Sequence, residues 1–221
     1  MDQDPNQKIV EAIIKLIKKW QRELPNKKLI IGIDGPSGLG KTVILKELAY
    51  KNKDITAVHL DYFMYSSAFR RKALESYQNK CQVFEEKWYK TKLIKKMAKD
   101  FRSARKKYFV LKNICYKKNK GPQIIQLNLN NEVLLVEGIF LKNTKMFENI
   151  FDKIIFIKLK NEYLEKRIKR RFDANYPNGD YEAYRRSMIN FNNAWQKYLK
   201  DYQPDKTASS ILNIKIVNHF S

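Results

Sequence analysis

Gly35-Pro36-Ser37-Gly38-Leu39-Gly40-Lys41-Thr42 carries the clearest chemistry in the chain. Its spacing is G-x-x-x-x-G-K-[ST], that of a loop whose backbone N–H groups cradle phosphates. Glycines let such a loop turn through positive φ, and a helix N-terminus behind it favours negative charge. Lys41 would reach the β/γ-phosphates of a nucleotide. The Thr42 hydroxyl would serve Mg²⁺, a hard cation that takes oxygen ligands. The whole octet, Gly35, Pro36, Ser37, Gly38, Leu39, Gly40, Lys41 and Thr42, is the candidate nucleotide-binding segment.

Two acids are placed to work beside it. Asp61 ends the apolar run Ile55-Thr56-Ala57-Val58-His59-Leu60, and Glu137 closes Val133-Leu134-Leu135-Val136. In open α/β sheets, ligands bind beyond the carboxyl ends of the strands. Asp61 is therefore a candidate functional carboxylate, with a helix cap or turn aspartate as the plainer alternative. A carboxylate at the end of a buried run is costly unless paired or bound to metal, so Glu137 is a candidate Mg²⁺-linked acid or a salt-bridged core Glu. Arg167, Arg170 and Arg171 recur at i, i+3 and i+4 in a basic segment, where planar guanidinium groups suit phosphate. A solvated helix face fits that spacing equally well. His59 lies inside its strand and reads as a structural histidine.

The elements that must position these residues follow from periodicity. Leu29-Ile30-Ile31-Gly32-Ile33 is a short buried strand, and Val43 to Ala49 forms a helix behind the loop. Further strands are expected at residues 55–60, 108–116, 132–138 and 153–159, and finally at 212–217. Residues 123–129 alternate polar and apolar and should pair with 108–116 as a hairpin across the Gly121-Pro122 turn. Residues 66–104 read as two helices, 161–172 as a helix capped by Asn161, and 181–201 as one more. Residues 6–24 form an amphipathic helix, with Ile9, Val10, Ile13, Ile14, Ile17 and Trp20 on one face. Packing on the domain is expected for it, a membrane-surface helix being the alternative.

The 221 residues, 43% hydrophobic and 31% charged, suit one globular α/β domain spanning 1–221. No apolar run approaches the roughly 20 residues of a membrane span. The polar N-terminus does not resemble a signal peptide, and Cys81 and Cys115 lack metal-ligand spacing. A cytoplasmic enzyme is expected. The net charge of +22 would attract polyanions such as nucleic acid or anionic membrane. The basic residues are scattered, however, with Arg102 to Lys107 the densest run, and the chain is rich in Lys, Asn and Ile. Solvated basic faces are the simpler account.

Taken together, these motifs resemble the uridine kinase and phosphoribulokinase family of P-loop small-molecule kinases. Ile31 to Thr42 resembles its loop, Leu60-Asp61-Tyr62-Phe63 its strand-end D-x-F, and Leu135 to Phe140 its V-E-G-I stretch. Leu164 to Arg170 resembles its arginine-bearing lid, here residues 161–180. Tyr198 to Ala208 resembles its C-terminal segment. The resemblance implies a three-layer P-loop kinase fold, with a mostly parallel sheet, helices on both faces, a small β-hairpin and a helical lid. It implies ATP and Mg²⁺ as cofactors. Asp61 would be the base, Thr42 and Glu137 would serve the metal, and Lys41, Arg167 and Arg170 would stabilise the transferring phosphoryl group. Asp61, Tyr65 and Tyr116 would contact the acceptor, a small molecule of the uridine type. The family's Tyr-Asp pair is Tyr116-Lys117 here, and Met64 separates Phe63 from Tyr65. A pantothenate-like or riboside acceptor is the near alternative. A polynucleotide 5′-kinase or RNA-binding protein is the distant one, favoured by charge. Against it stands the lone Glu137, since an Asp-Glu pair is common in nucleic-acid motor ATPases.

Overall fold

The computed structural model describes residues 5–114 and 123–214. In chain order the elements are α1 (Pro5–Glu23), β1 (Leu29–Asp34), α2 (Lys41–Lys51) and β2 (Ile55–His59). A 3₁₀ turn (Leu60–Phe63), α3 (Ser67–Ser76), α4 (Lys80–Gln82, running into a π turn at Val83–Lys87) and α5 (Thr91–Ser103) come next. Then come β3 (Tyr108–Ile114), β4 (Gln123–Asn128), β5 (Val133–Glu137), α6 (Thr144–Phe147), β6 (Lys153–Lys158) and α7 (Asn161–Asn175). The described chain ends with α8 (Tyr181–Ser187), α9 (Ile189–Tyr202), α10 (Pro204–Thr207) and β7 (Ser210–Asn213).

Five strands form a parallel sheet in the order β2-β5-β1-β6-β7. Every residue of β1 and β5 is buried, as expected of central parallel strands covered on both faces. Successive side chains point to opposite faces, so each strand feeds two cores. Leu29, Ile31, Ile33, Leu135 and Ile155 meet Ile9, Ile13, Ile17, Trp20, Ile44 and Leu48 of α1 and α2. Ile30, Val58, Leu134 and Val136 meet Phe101, Phe140, Ala194 and Tyr198 on the other face, where α5 and α9 lie. This is the layered, mostly parallel α/β architecture expected from the sequence. The antiparallel hairpin is also present: β3 pairs with β4, with Phe109 opposite Leu127. Its expected turn at Gly121-Pro122 lies outside the described residues, as does Tyr116.

Several boundaries differ from expectation for local reasons. The segment 66–104 holds three helices, because the Asn79 side chain accepts hydrogen bonds from the Cys81 and Gln82 N–H groups and starts a new turn there. The stretch 181–201 breaks at Met188, whose ψ of 0° ends α8. Lys160, not Asn161, holds the cap position of α7, and it makes no side-chain cap bond. The last described strand begins at Ser210, two residues before the expected start, and ends at Asn213.

The N-terminal helix is part of this packing rather than a separate amphipathic segment. Ile13 is fully buried against the sheet. Ile13→Ala should lower the unfolding free energy by about 2–5 kcal/mol, the usual span for a buried Ile truncated to Ala. Chemical denaturation measures it, and a loss below about 0.5 kcal/mol would mean that α1 does not pack there in solution.

Candidate functional site

The strand register assembles the site. Ile33 of β1 lies level with Glu137 of β5, and Glu137 lies level with His59 of β2. The three strands thus end together, and Asp34, Glu137 and Asp61 emerge side by side at one sheet edge. The loop between β1 and α2 closes over this edge. Gly40 caps α2 at φ 99°, a left-handed conformation that side chains disfavour. Gly38 has φ 83°, and a Cβ there would stand 2.7 Å from Ile168 Cγ1. Only glycine lets α7 lie this close to the loop.

Lys41 is buried, and its Nζ donates to the carbonyls of Gly35 (2.8 Å) and Pro36 (2.9 Å). Burial pushes its pKa down, against the pull of Glu137, Asp34 and Asp61. The ammonium therefore sits among three carboxylates. The Thr42 hydroxyl donates to Glu137 Oε1 (3.2 Å), and His59 Nδ1 contacts the same oxygen. Burial alone would raise the Glu137 carboxyl. The His59 hydrogen bond, the Lys41 charge and Thr42 together bring it below its ordinary value. Thr42 and Glu137 therefore present two adjacent hard oxygens, one of them ionised. Among the described residues no group of three or more His, Cys, Asp or Glu could hold a metal unaided. That donor set fits Mg²⁺, which is bound through one or two protein oxygens plus phosphates and water.

Asp61 lies in the 3₁₀ turn directly after β2, and the cap position of that turn is His59. Asp61 is therefore not the cap of this turn but an aspartate within it, its carbonyl accepting from the Met64 N–H. Burial and the Glu137 charge raise its carboxyl above 3.8, opposed by His59, Lys41 and Arg70. Tyr89, fully buried, lies in the same field: burial first, then Asp61 and Glu137, push its hydroxyl far up. Tyr65 stacks on Phe69 with ring centroids 4.2 Å apart. Of the arginines of the basic helix, Arg167 reaches the loop, its Nη1 donating to the Leu39 carbonyl (2.6 Å). Arg170 and Arg171 are exposed.

Sequence reasoning missed two members. Asp34, wholly buried, accepts a hydrogen bond from the Gly35 N–H (2.7 Å) through one oxygen and from the Tyr198 hydroxyl through the other. Tyr198 in turn accepts from the Lys142 N–H (2.9 Å). One phenol thus ties the loop that opens with Gly35 to the segment following Glu137. Asp34 carried the signal that flagged Glu137, an acid closing an apolar run. Tyr198 carried none, because it stands 164 residues away. His59, read as a structural histidine, is buried with its Nδ1 against Glu137, in keeping with that reading.

No family model matches the chain, and no curated protein matches it. Solved structures do. A structure described as a possible uridine kinase from Bacillus stearothermophilus is 17% identical, covering 93% of this chain and 99% of that one, with a TM-score of 0.66. The YGR205w protein is 15% identical over 96% of this chain and 94% of that one, TM-score 0.72. D-glycerate 3-kinase from Cryptococcus neoformans is 14% identical over 98% and 99%, TM-score 0.66. At these identities the shared property is the fold alone, a mostly parallel α/β sheet covered by helices on both faces.

The buried Asp34 makes a pH prediction. Burial raises its carboxyl from 3.8 to about 6, outweighing Tyr198, Lys41 and the Gly35 and Leu141 N–H groups. The folded state therefore holds this proton more tightly than the unfolded one. That stabilisation is complete below the unfolded value and is lost as pH rises through the folded one. Between roughly pH 4 and pH 7 the wild type should lose about 2.4 kcal/mol relative to Asp34→Asn. Unfolding free energies of both proteins across this range give the difference; a flat difference would contradict the assignment.

Proposed function

We propose that the protein is an ATP-dependent kinase that transfers the γ-phosphoryl group to a hydroxyl of a small molecule. The observation that carries this reading is the convergence of Lys41, the Thr42–Glu137 pair and Asp61 at one sheet edge, beneath a phosphate-cradling loop. The fold shared with solved structures described as kinases supports it.

The residues divide the work. The loop N–H groups and the α2 N-terminus hold the phosphates. Lys41, on leaving the Gly35 and Pro36 carbonyls, places its charge on the β/γ-phosphates. Thr42 and Glu137 would hold Mg²⁺, which when bound neutralises phosphate charge. Asp61 orients the acceptor hydroxyl and takes its proton as the oxygen attacks Pγ; the bond from Pγ to the β,γ-bridging oxygen breaks and ADP leaves. A carboxyl raised by burial and by Glu137 is a stronger base than a free one, which suits this step. Arg167, already against the loop, adds charge stabilisation where the phosphoryl group passes, and residues 161–180 act as the lid that carries it. Phosphoryl transfer consists largely of such positioning and electrostatics.

For the acceptor, the resemblance implies a uridine-type nucleoside, with Asp61 and Tyr65 among its contacts. A second reading, another small hydroxyl compound, is favoured by the Arg70 guanidinium near Asp61.

Lys41→Ala leaves the neighbouring carboxylates uncompensated and should lower stability; in the protein that remains folded, turnover should fall by about 10²–10³-fold, as when one stabiliser of transition-state charge is removed. Unchanged turnover in the folded variant would remove the loop from the chemistry. Asp61→Asn keeps shape but cannot accept a proton, so kcat should fall by roughly 10²–10⁴-fold with ATP affinity retained. The acid limb of the wild-type pH–rate profile should lie above 3.8. Full activity of Asp61→Asn would refute the base assignment. Arg167→Lys should reduce kcat more than ATP affinity, because lysine lacks the planar fork; wild-type kinetics would return Arg167 to a packing role.

A further inference from the structure

We propose that Arg70 binds an oxyanion on the acceptor, so that the acceptor is a small hydroxylated acid or phosphate ester rather than a neutral nucleoside. This rests on the kinase reading above and narrows its substrate class.

Arg70 sits in the first turns of α3, immediately after the segment that carries Asp61. Its Nε donates to the Tyr65 carbonyl (3.0 Å), and its guanidinium carbon lies 4.6 Å from the centre of the Trp88 ring. Backbone bonds fix that platform: the Tyr65 N–H donates to the Trp88 carbonyl (3.2 Å), and Met64 bridges to Tyr89. Backbone carbonyl and indole face together hold a half-buried guanidinium in one place.

The charge is not balanced locally. Among the described residues no carboxylate lies within ion-pair distance of Arg70. An arginine offers five N–H donors, and among the described residues only the Nε–H is engaged. Burial lowers its pKa, while Asp61 and then Tyr89 pull it back at longer range. Desolvating a cation without a partner is costly, and a cation–π contact offsets only part of that cost. A ligand anion would complete the balance. Guanidinium favours carboxylate and phosphate because its parallel N–H groups match two oxygens at once.

The position separates this charge from the nucleotide end. Lys41 and Arg167 face the loop through the Gly35, Pro36 and Leu39 carbonyls. Arg70 instead shares its field with Asp61, the group that would meet the acceptor hydroxyl, and with Tyr89. An acceptor held at Arg70 by its anion can turn a hydroxyl toward Asp61.

Trp88 supplies a readout independent of turnover. Glycerol, glycerate and glycerol 3-phosphate share a skeleton and differ in the anionic group. Pantothenol and pantothenate, and uridine and uridine 5′-monophosphate, extend the series. Each is titrated against the full chain while tryptophan fluorescence is followed. At least one acid should give a saturable change that its neutral partner does not, and Trp88→Phe should remove it. Arg70→Gln should weaken that binding by about 10–100-fold, the range for a hydrogen bond to a charged group. Arg70→Lys, which keeps charge and stem, should fall between and guards against misfolding of the first variant. Carboxylate against phosphate members tell which oxyanion is held. In parallel, ADP release from ATP is measured with each compound, and KM for the acid should rise in Arg70→Gln with KM for ATP unchanged. The proposal is overturned if no acid gives a saturable response, or if the response survives Arg70→Gln, or if a neutral compound is the best acceptor. Arg70-dependent acid binding without phosphorylation would keep the anion site and sink the kinase reading. Phosphorylation of neutral compounds alone would do the reverse.

Discussion

The structure depends on burying opposite charges together where three parallel strands end. Lys41 is an ammonium inside the protein, and Asp34, Glu137 and Asp61 are the carboxylates whose fields reach it. Asp34, Glu137 and Lys41 are buried and Asp61 partly so, and none of the buried three would be tolerated charged and alone. Their mutual compensation requires the register that sets Ile33 beside Glu137 and Glu137 beside His59. A slip of one residue along β5 would turn Glu137 into the opposite core and leave Lys41 under-compensated. The apolar layers on both faces hold that register, so packing remote from the site fixes its electrostatics.

Hydrogen bonds convert the cluster from a set of charges into a shape. Asp34 takes the Gly35 N–H, Tyr198 spans from Asp34 to the Lys142 N–H, and Arg167 holds the Leu39 carbonyl. The loop is therefore anchored at its first residue from below and near its end from the side. A phosphate cradle works only if its N–H groups already point at the ligand, because groups that must reorganise lose most of their electrostatic advantage. The cost is borne in stability, since Asp34 is held where its carboxyl titrates near 6.

Most of this architecture was legible in the sequence, for a physical reason. Strand, glycine loop and helix are local, and their signals lie within one stretch from Leu29 to Ala49. Glu137 and Asp61 were visible because each closes an apolar run, where an acid is conspicuous. The same rule would have found Asp34 had it been applied inside the motif. Partnerships between distant elements were not legible: Tyr198 with Asp34, Arg70 with Trp88, and Arg167 rather than Arg170 at the loop. Helical spacing placed the arginines on nearby faces, but which of them meets the loop depends on how α7 settles over Gly38. The breaks at Asn79 and Met188 were missed because the flanking helical periodicity is strong and the interruption is a single residue.

The central claim is that the Thr42–Glu137 pair and the loop together form a site for a nucleotide and Mg²⁺. Calorimetric titration of ATP into the wild type and into Glu137→Gln, each with Mg²⁺ and with EDTA, tests it most directly. The wild type should bind ATP in both conditions and more tightly with Mg²⁺. Glu137→Gln should retain the binding seen in EDTA and lose most of the gain from the metal, because the ionised oxygen beside Thr42 is gone. No binding of ATP by the wild type, or an equal Mg²⁺ gain in both proteins, would contradict the account.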